Sequence, residues 1–67
     1  MTDAKEYSRG SNAKLAGLDY DSGRSLDWRM GWLEERREKN TGPNIPEDWV
    51  QQVMAYRQQV LKDSSAG

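Results

Sequence analysis

The chain has no cysteine, no histidine and no phenylalanine, only two prolines, and no apolar run of membrane-spanning length. Without Cys or His it can form no disulfide framework, no thiolate or imidazole metal site, no cysteine nucleophile and no triad built on an imidazole base. The stretch MTDAKEYSRG at the start carries charges where a signal peptide needs an apolar core, so a cytoplasmic location is expected. An excess of one charge is missing too. Ten basic residues face eleven acidic ones for a formal net charge of -1, which removes any general pull toward nucleic acid or anionic lipid and leaves only a local patch to supply one. For catalysis there remain carboxylates, Lys, Ser, Thr and Tyr, and paired carboxylates need a pocket that so short a chain can rarely shape. Binding is therefore expected rather than turnover, with no cofactor, no metal and no small-molecule substrate.

What is present suits one small domain. Sixty-seven residues, 31% charged and 34% hydrophobic, lie near the border between folded and disordered sequences. Domains of this size often gain stability from disulfides, metals or a partner surface, and with the first two closed, a homo-oligomer or docking onto something larger is expected. Three Trp and three Tyr form an aromatic set whose members favour one wet edge, as interfaces provide.

Two turn-forming stretches, residues 17–23 and 40–44, cut the chain into three segments, with no alternating strand pattern and no internal repeat. The expected fold class is all-α: a small helical hairpin, about residues 3–16 and 25–40, plus a third amphipathic helix over about 46–62. Residues 1–62 would form a single helical domain and 63–67 a disordered tail. Asp3 and Glu6 form a capping-box pattern for the first helix. Gly10, Ala13, Ala16 and Gly17 put small residues along one face. Gly10 in mid-helix costs about 1 kcal/mol relative to Ala, so either close packing, within the chain or against a partner, offsets it or the helix bends or frays there.

The second helix has Ser25 as N-cap and Asp27 in its first turn. Leu26, Met30 and Leu33 share one face, while Trp28 and Trp32 lie nearly opposite, flanked by Arg29, Arg36 and Lys39. A helix apolar on two faces is either sandwiched between the others or offers its tryptophans to a partner. In the second case the indoles and interleaved cations would stack on bases or act as a protein hot spot. The run Glu34 to Lys39, with Glu34 and Glu38 four apart, reads as solvated helix surface.

The third helix is signalled by Asn44 or Ile45 at the cap, Pro46 in the first turn, Glu47 and Asp48 at the positive end and Lys62 at the other. Trp49, Val53, Tyr56 and Val60 make one row, and Val50, Met54, Arg57 and Leu61 repeat it one residue later. The stripe can serve the core, a homodimer or a partner groove. Gln51, Gln52, Gln58 and Gln59 form a polar, uncharged face.

Residues 9–17, with the pattern R-G-x-x-A-x-x-A-G, and residues 28–34, W-x-x-G-W-x-E, occur in that order, and together they give the chain a region, about residues 9–36, that resembles the bacterial ribosome modulation factor family. The resemblance implies a small helical protein that binds the ribosome, touching ribosomal RNA and proteins, and promotes inactive paired ribosomes. On it, Gly10, Ala13, Ala16, Gly17 and Gly31 would be packing residues, and Arg9, Trp28, Arg29 and Trp32 contact residues. The family's basic amino-terminal segment is replaced here by Met1 to Ser8, where Lys5 stands against Asp3 and Glu6.

The expectation is thus a non-enzymatic regulatory protein acting by stoichiometric binding to the ribosome or another large assembly. Arg9, Trp28, Arg29, Trp32, Arg36 and Lys39 would bind the partner, and Trp49, Val53, Tyr56 and Val60 would form the core or an oligomer stripe. The alternative is a phage-encoded adaptor or inhibitor that grips a host protein through an aromatic helix face or the third-helix stripe.

Overall fold

The computed structural model describes residues 3–65, with side chains through Lys62. Three α-helices, α1 (Ala4–Leu15), α2 (Leu26–Glu34) and α3 (Trp49–Ser65), and one 3-10 turn over Arg37–Lys39 follow one another, with no strand among the described residues. The fold is all-α.

Helix α1 starts where the Asp3 carboxylate accepts the amides of Lys5 and Glu6 at 3.1 and 3.2 Å, satisfying two donors that the helix leaves open. Glu6, expected to reach back and close a capping box, directs its carboxylate to Arg9 at 3.2 Å. At the other end, Gly17 takes a left-handed φ of 85°. The Leu18 amide donates to the Ala13 carbonyl (2.9 Å) and the Gly17 amide to that of Lys14 (3.1 Å), the pair of bonds that defines a Schellman stop. Of the four small residues expected to share a packing face, Gly10 and Ala13 are buried. Ala16 and Gly17 are exposed and end the helix instead.

Helix α2 opens with Ser25, whose hydroxyl accepts the Trp28 amide at 3.3 Å. It ends at Glu34, six residues before the expected boundary near 40, because side chains from elsewhere take its last carbonyls. The Lys14 ammonium donates to the carbonyls of Trp32 (3.3 Å) and Glu35 (3.0 Å), and to the side-chain oxygen of Asn40. The Asn40 amide in turn donates to the Leu33 carbonyl at 2.8 Å. Arg36 then adopts a left-handed φ of 48°, a conformation that costs a non-glycine residue roughly 1–2 kcal/mol and that these bonds offset.

Helix α3 begins at Trp49 rather than at Pro46. Asn44 sits at φ 70°, and Pro46, Glu47 and Asp48 form a tight turn in which the Trp49 amide donates to the Pro46 carbonyl at 3.2 Å. Asp48 therefore holds the cap position, its carbonyl accepting the Gln52 amide at 3.0 Å. The helix backbone carries on to Ser65, beyond the expected end at 62. Of the expected tail, residues 66 and 67 lie outside the described residues.

Helices α1 and α2 cross in backbone contact. A Cβ added to Gly10 would overlap the Trp28 carbonyl oxygen and meet the Trp32 amide nitrogen at 2.9 Å, and one added to Gly31 would overlap the Tyr7 carbonyl oxygen. Ser11 donates its hydroxyl to the Gly31 carbonyl across the same crossing at 3.2 Å. Around this point the core gathers Ala13, Tyr20, Trp28, Met30, Trp32, Leu33 and Val53, with Tyr7, Ile45, Trp49 and Tyr56 packed against it. Helix α2 is thus packed against both α1 and α3, with Leu26 at its start left exposed.

Because the atoms in the way are backbone, neither glycine site can be relieved by a rotamer change. Gly10→Ala and Gly31→Ala are each expected to cost at least about 3 kcal/mol, the upper range for overpacking, read as a lowered urea midpoint in chemical denaturation.

Candidate interaction surface

The residues expected to form the aromatic contact face are divided by the structure. Trp28 and Trp32 are 4% and 3% exposed, so the expected stacking platform is not offered to a partner. Their burial has a physical cause in each case. Trp28 and Trp32 pack where Gly10 lets α1 approach α2. Trp32 donates its indole N–H to the Leu18 carbonyl at 2.9 Å, and Tyr20 lies edge-on to it with centroids 5.5 Å apart. Tyr20, which sequence reasoning left in a turn, is 2% exposed.

The cations that lie on the indoles are also not the expected ones. Lys14 stands over Trp32 at 3.8 Å, Arg24 over Trp28 at 5.5 Å and Arg37 over Trp49 at 5.8 Å, distances at which a cation is attracted to the ring face. Burial pulls the Lys14 ammonium below its ordinary pKa, with Glu35 and Glu38 acting the other way. Arg29 is half-buried and turns back to the Ser25 carbonyl at 3.4 Å. Arg36 and Lys39 are exposed but fall after the helix has ended, so they no longer continue the face that carries Arg29. Arg9 is exposed on α1, paired with Glu6.

The row Trp49, Val53, Tyr56 and Val60 turns inward. Val53 is fully buried and Trp49 and Tyr56 are half-buried against the core, while Val60, also half-buried, lines the groove between α1 and α3. The adjacent row faces out, with Val50, Met54 and Leu61 at 40%, 55% and 67% exposure.

Polar groups fasten α3 to the hairpin. Asp27 and Glu34 are two turns apart on one side of α2, where Tyr56 donates its hydroxyl to Asp27 at 2.8 Å and Arg57 donates to Glu34 at 2.5 Å. The Tyr7 hydroxyl donates to the second oxygen of Glu34, and the Tyr7 and Tyr56 rings stack with centroids 6.2 Å apart and planes 9° from parallel. Glu34, expected as solvated surface like Glu38, is instead the acceptor that joins all three helices, its side chain 13% exposed. Burial, with the bond to Glu34 and its negative charge, raises the Tyr7 phenol well above its ordinary value. The same carboxylate raises Arg57.

Beside this cluster an open groove of about 460 Å³ runs between the start of α1 and the end of α3. Ala4, Tyr7, Tyr56, Val60 and Leu61 supply apolar walls, and Glu34 and Arg57 lie within it, already paired. No buried side-chain polar atom among the described residues lacks a hydrogen bond. Among the same residues no three of His, Cys, Asp and Glu gather to hold a metal ion. No described helix is long and apolar enough to cross a membrane. What the groove has to offer is shape and apolar area.

Comparison with protein-family models, curated proteins and solved structures finds no match. The likeness to ribosome modulation factor therefore rests on the two motifs alone, and five of their residues, Gly10, Ala13, Trp28, Gly31 and Trp32, lie buried at or beside the helix crossing.

Two measurements check this geometry. Emission from Trp28 and Trp32, isolated by Trp49→Phe, is expected to be blue-shifted and poorly quenched by acrylamide, the opposite of what an exposed stacking face would give. The Tyr7 phenol has its folded pKa above the unfolded value of about 10, so its contribution is present below pH 10 and fades as pH rises through the folded pKa. Lys14, lowered on folding, works with the opposite sign and at lower pH, its contribution changing below the unfolded value of about 10.5. Tyr7→Phe should therefore be less stable than the parent at neutral pH, with the gap closing in urea titrations above about pH 10.

Proposed function

We propose that this chain is a non-enzymatic binding protein that acts stoichiometrically on a larger, protein-containing assembly, with the bacterial ribosome as the first candidate because of the two motifs. The observation that carries this reading is the groove between α1 and α3. Its walls are apolar and its two charges are already paired with each other, so an apolar side chain of a partner protein can enter without stripping water from an unpaired ion. Burial there returns roughly 25 cal/mol per Å² of apolar surface. Occlusion follows from occupancy alone, and no bond need be made or broken.

The motifs support a target class but not a contact list. Their glycines and tryptophans serve the helix crossing, so a protein with the same scaffold could meet ribosomal protein, or a host protein in the manner of a phage-borne adaptor, through surface residues of its own.

A second reading has one observation in its favour. Arg36, Arg37 and Lys39 fall within four positions on an exposed turn, a local basic patch of the kind the neutral overall charge leaves room for. It would contact ribosomal RNA phosphate.

Co-sedimentation with ribosomes over a salt series, with and without nuclease, separates the readings. Groove binding is expected to survive about 0.5 M salt, where screening reaches within a few Å, and to fall at least tenfold with Ala4→Trp, which fills the groove. It should be indifferent to Arg36→Ala with Lys39→Ala. RNA contact would show the reverse on every count. Retention of a nuclease-resistant host protein without ribosomes would move the target to that protein. No binding to either at low salt overturns the proposal.

A further inference from the structure

Helix α2 stops at Glu34 although the residues after it favour a helix. Residues 34–39 include no glycine, proline or β-branched side chain, and Glu, Arg and Lys are all good helix formers. Glu35 stands four positions before Lys39, the order in which such a pair supports a helix best. The 3-10 turn at Arg37–Lys39 is already helical backbone. Only Glu35, with ψ 122°, and Arg36, at φ 48° and ψ 59°, separate it from the end of α2.

The carbonyls at that end decide between the two shapes. In a continued α-helix those of Trp32, Leu33 and Glu35 would accept the amides of Arg36, Arg37 and Lys39. Here the Lys14 ammonium takes the first and the third, at 3.3 and 3.0 Å, and the Asn40 side-chain amide takes the second at 2.8 Å. The Lys39 amide turns instead to the Arg36 carbonyl at 2.8 Å. Lys14 also donates to the Asn40 side-chain oxygen, which orients that amide toward Leu33. Three acceptors thus serve either the turn or a longer helix, and one cation from α1 holds them for the turn. The Trp32 ring lies 3.8 Å from the ammonium, and Glu35 and Glu38 are the charges that act on it.

We propose that residues 35–39 are a two-state element and that Lys14 is its latch: engaged, it holds the present turn, and withdrawn, it lets α2 continue to about residue 39. Five more helical residues lengthen α2 by roughly 7.5 Å, and residues 40–48, which lead to α3, can span up to about 30 Å. The two states lay out the cations differently. On the turn, Arg36, Arg37 and Lys39 are exposed, with Arg37 over Trp49 at 5.8 Å. On a continued helix Arg36 falls two turns beyond Arg29 on the same side, Lys39 follows about one turn later, and Arg37 leaves Trp49. The latch therefore sets which basic surface the chain displays. This goes beyond the groove reading and does not depend on it.

Lys14→Met keeps an apolar stem beside Trp32 and removes the donors. NMR of the full chain is expected to show the Cα shifts of residues 35–39 moving into the helical range, most at Arg36, with a deeper 222 nm ellipticity and unchanged ring-shifted resonances from the core. Asn40→Ala, which frees the Leu33 carbonyl, should move the same residues the same way by less, and it carries the test should Lys14→Met not fold. Adding Arg36→Gly to Lys14→Met should bring the turn back, because glycine accepts a left-handed φ and disfavours a helix interior. Residues 35–39 that keep the parent shifts in the single variants, or take random-coil shifts there, overturn the proposal. So does a double variant that does not return to the parent pattern. Lys14, Arg36 and Asn40 do not line the groove, so binding through it is expected to be equal in all these variants, and its presence or absence bears on the groove reading alone.

Discussion

The fold depends on two helix backbones touching. Gly10 and Gly31 leave no room for a methyl group at the crossing of α1 and α2, and that separation decides what can pack around it. With the helices this near, Trp28 and Trp32 are enclosed, Ser11 reaches the Gly31 carbonyl, and the Lys14 ammonium arrives at the end of α2. The usual penalty of glycine inside a helix is offset because the backbones approach more closely than any side chain would permit, and dispersion contacts gather on both sides.

The third helix is joined by different means. One fully buried side chain, Val53, enters the core, and the rest of the attachment is made by paired rings, two phenol hydroxyls and an ion pair. Directional bonds of this sort contribute modestly to stability, but they specify position. Glu34 is central to it because one carboxylate serves partners on both neighbouring helices.

Much of this was legible in the residues. The three helices, the Asp3 and Ser25 caps, the Gly10 and Ala13 face and the two apolar rows of α3 all follow from local chemistry or periodicity, while which row turns inward does not. The end of α2 did not, because it is set by Lys14 and Asn40, which come from outside the helix, and nothing in the run from Glu34 to Lys39 breaks a helical pattern. Tyr20 was hidden by its turn-rich neighbours, since a loop that folds over a tryptophan has no periodic signature. Glu34 read as surface for the same reason: its spacing to Glu38 is visible in the chain, while its bonds to Tyr7 and Arg57 span 27 and 23 positions. The two faces of α2 left the fate of the tryptophans open, and the crossing glycines decided it.

The grips at Asp27 and Glu34 act as two pins in a fixture. One pin would let α3 swivel; two, set a pair of turns apart, fix its azimuth. Losing either would remove one of the two fixed points and leave the buried Val53 and the stacked rings to hold the inward face of α3. The identity of the outer surface of this small protein is thus governed by a phenol from the hidden row and a guanidinium from the displayed one.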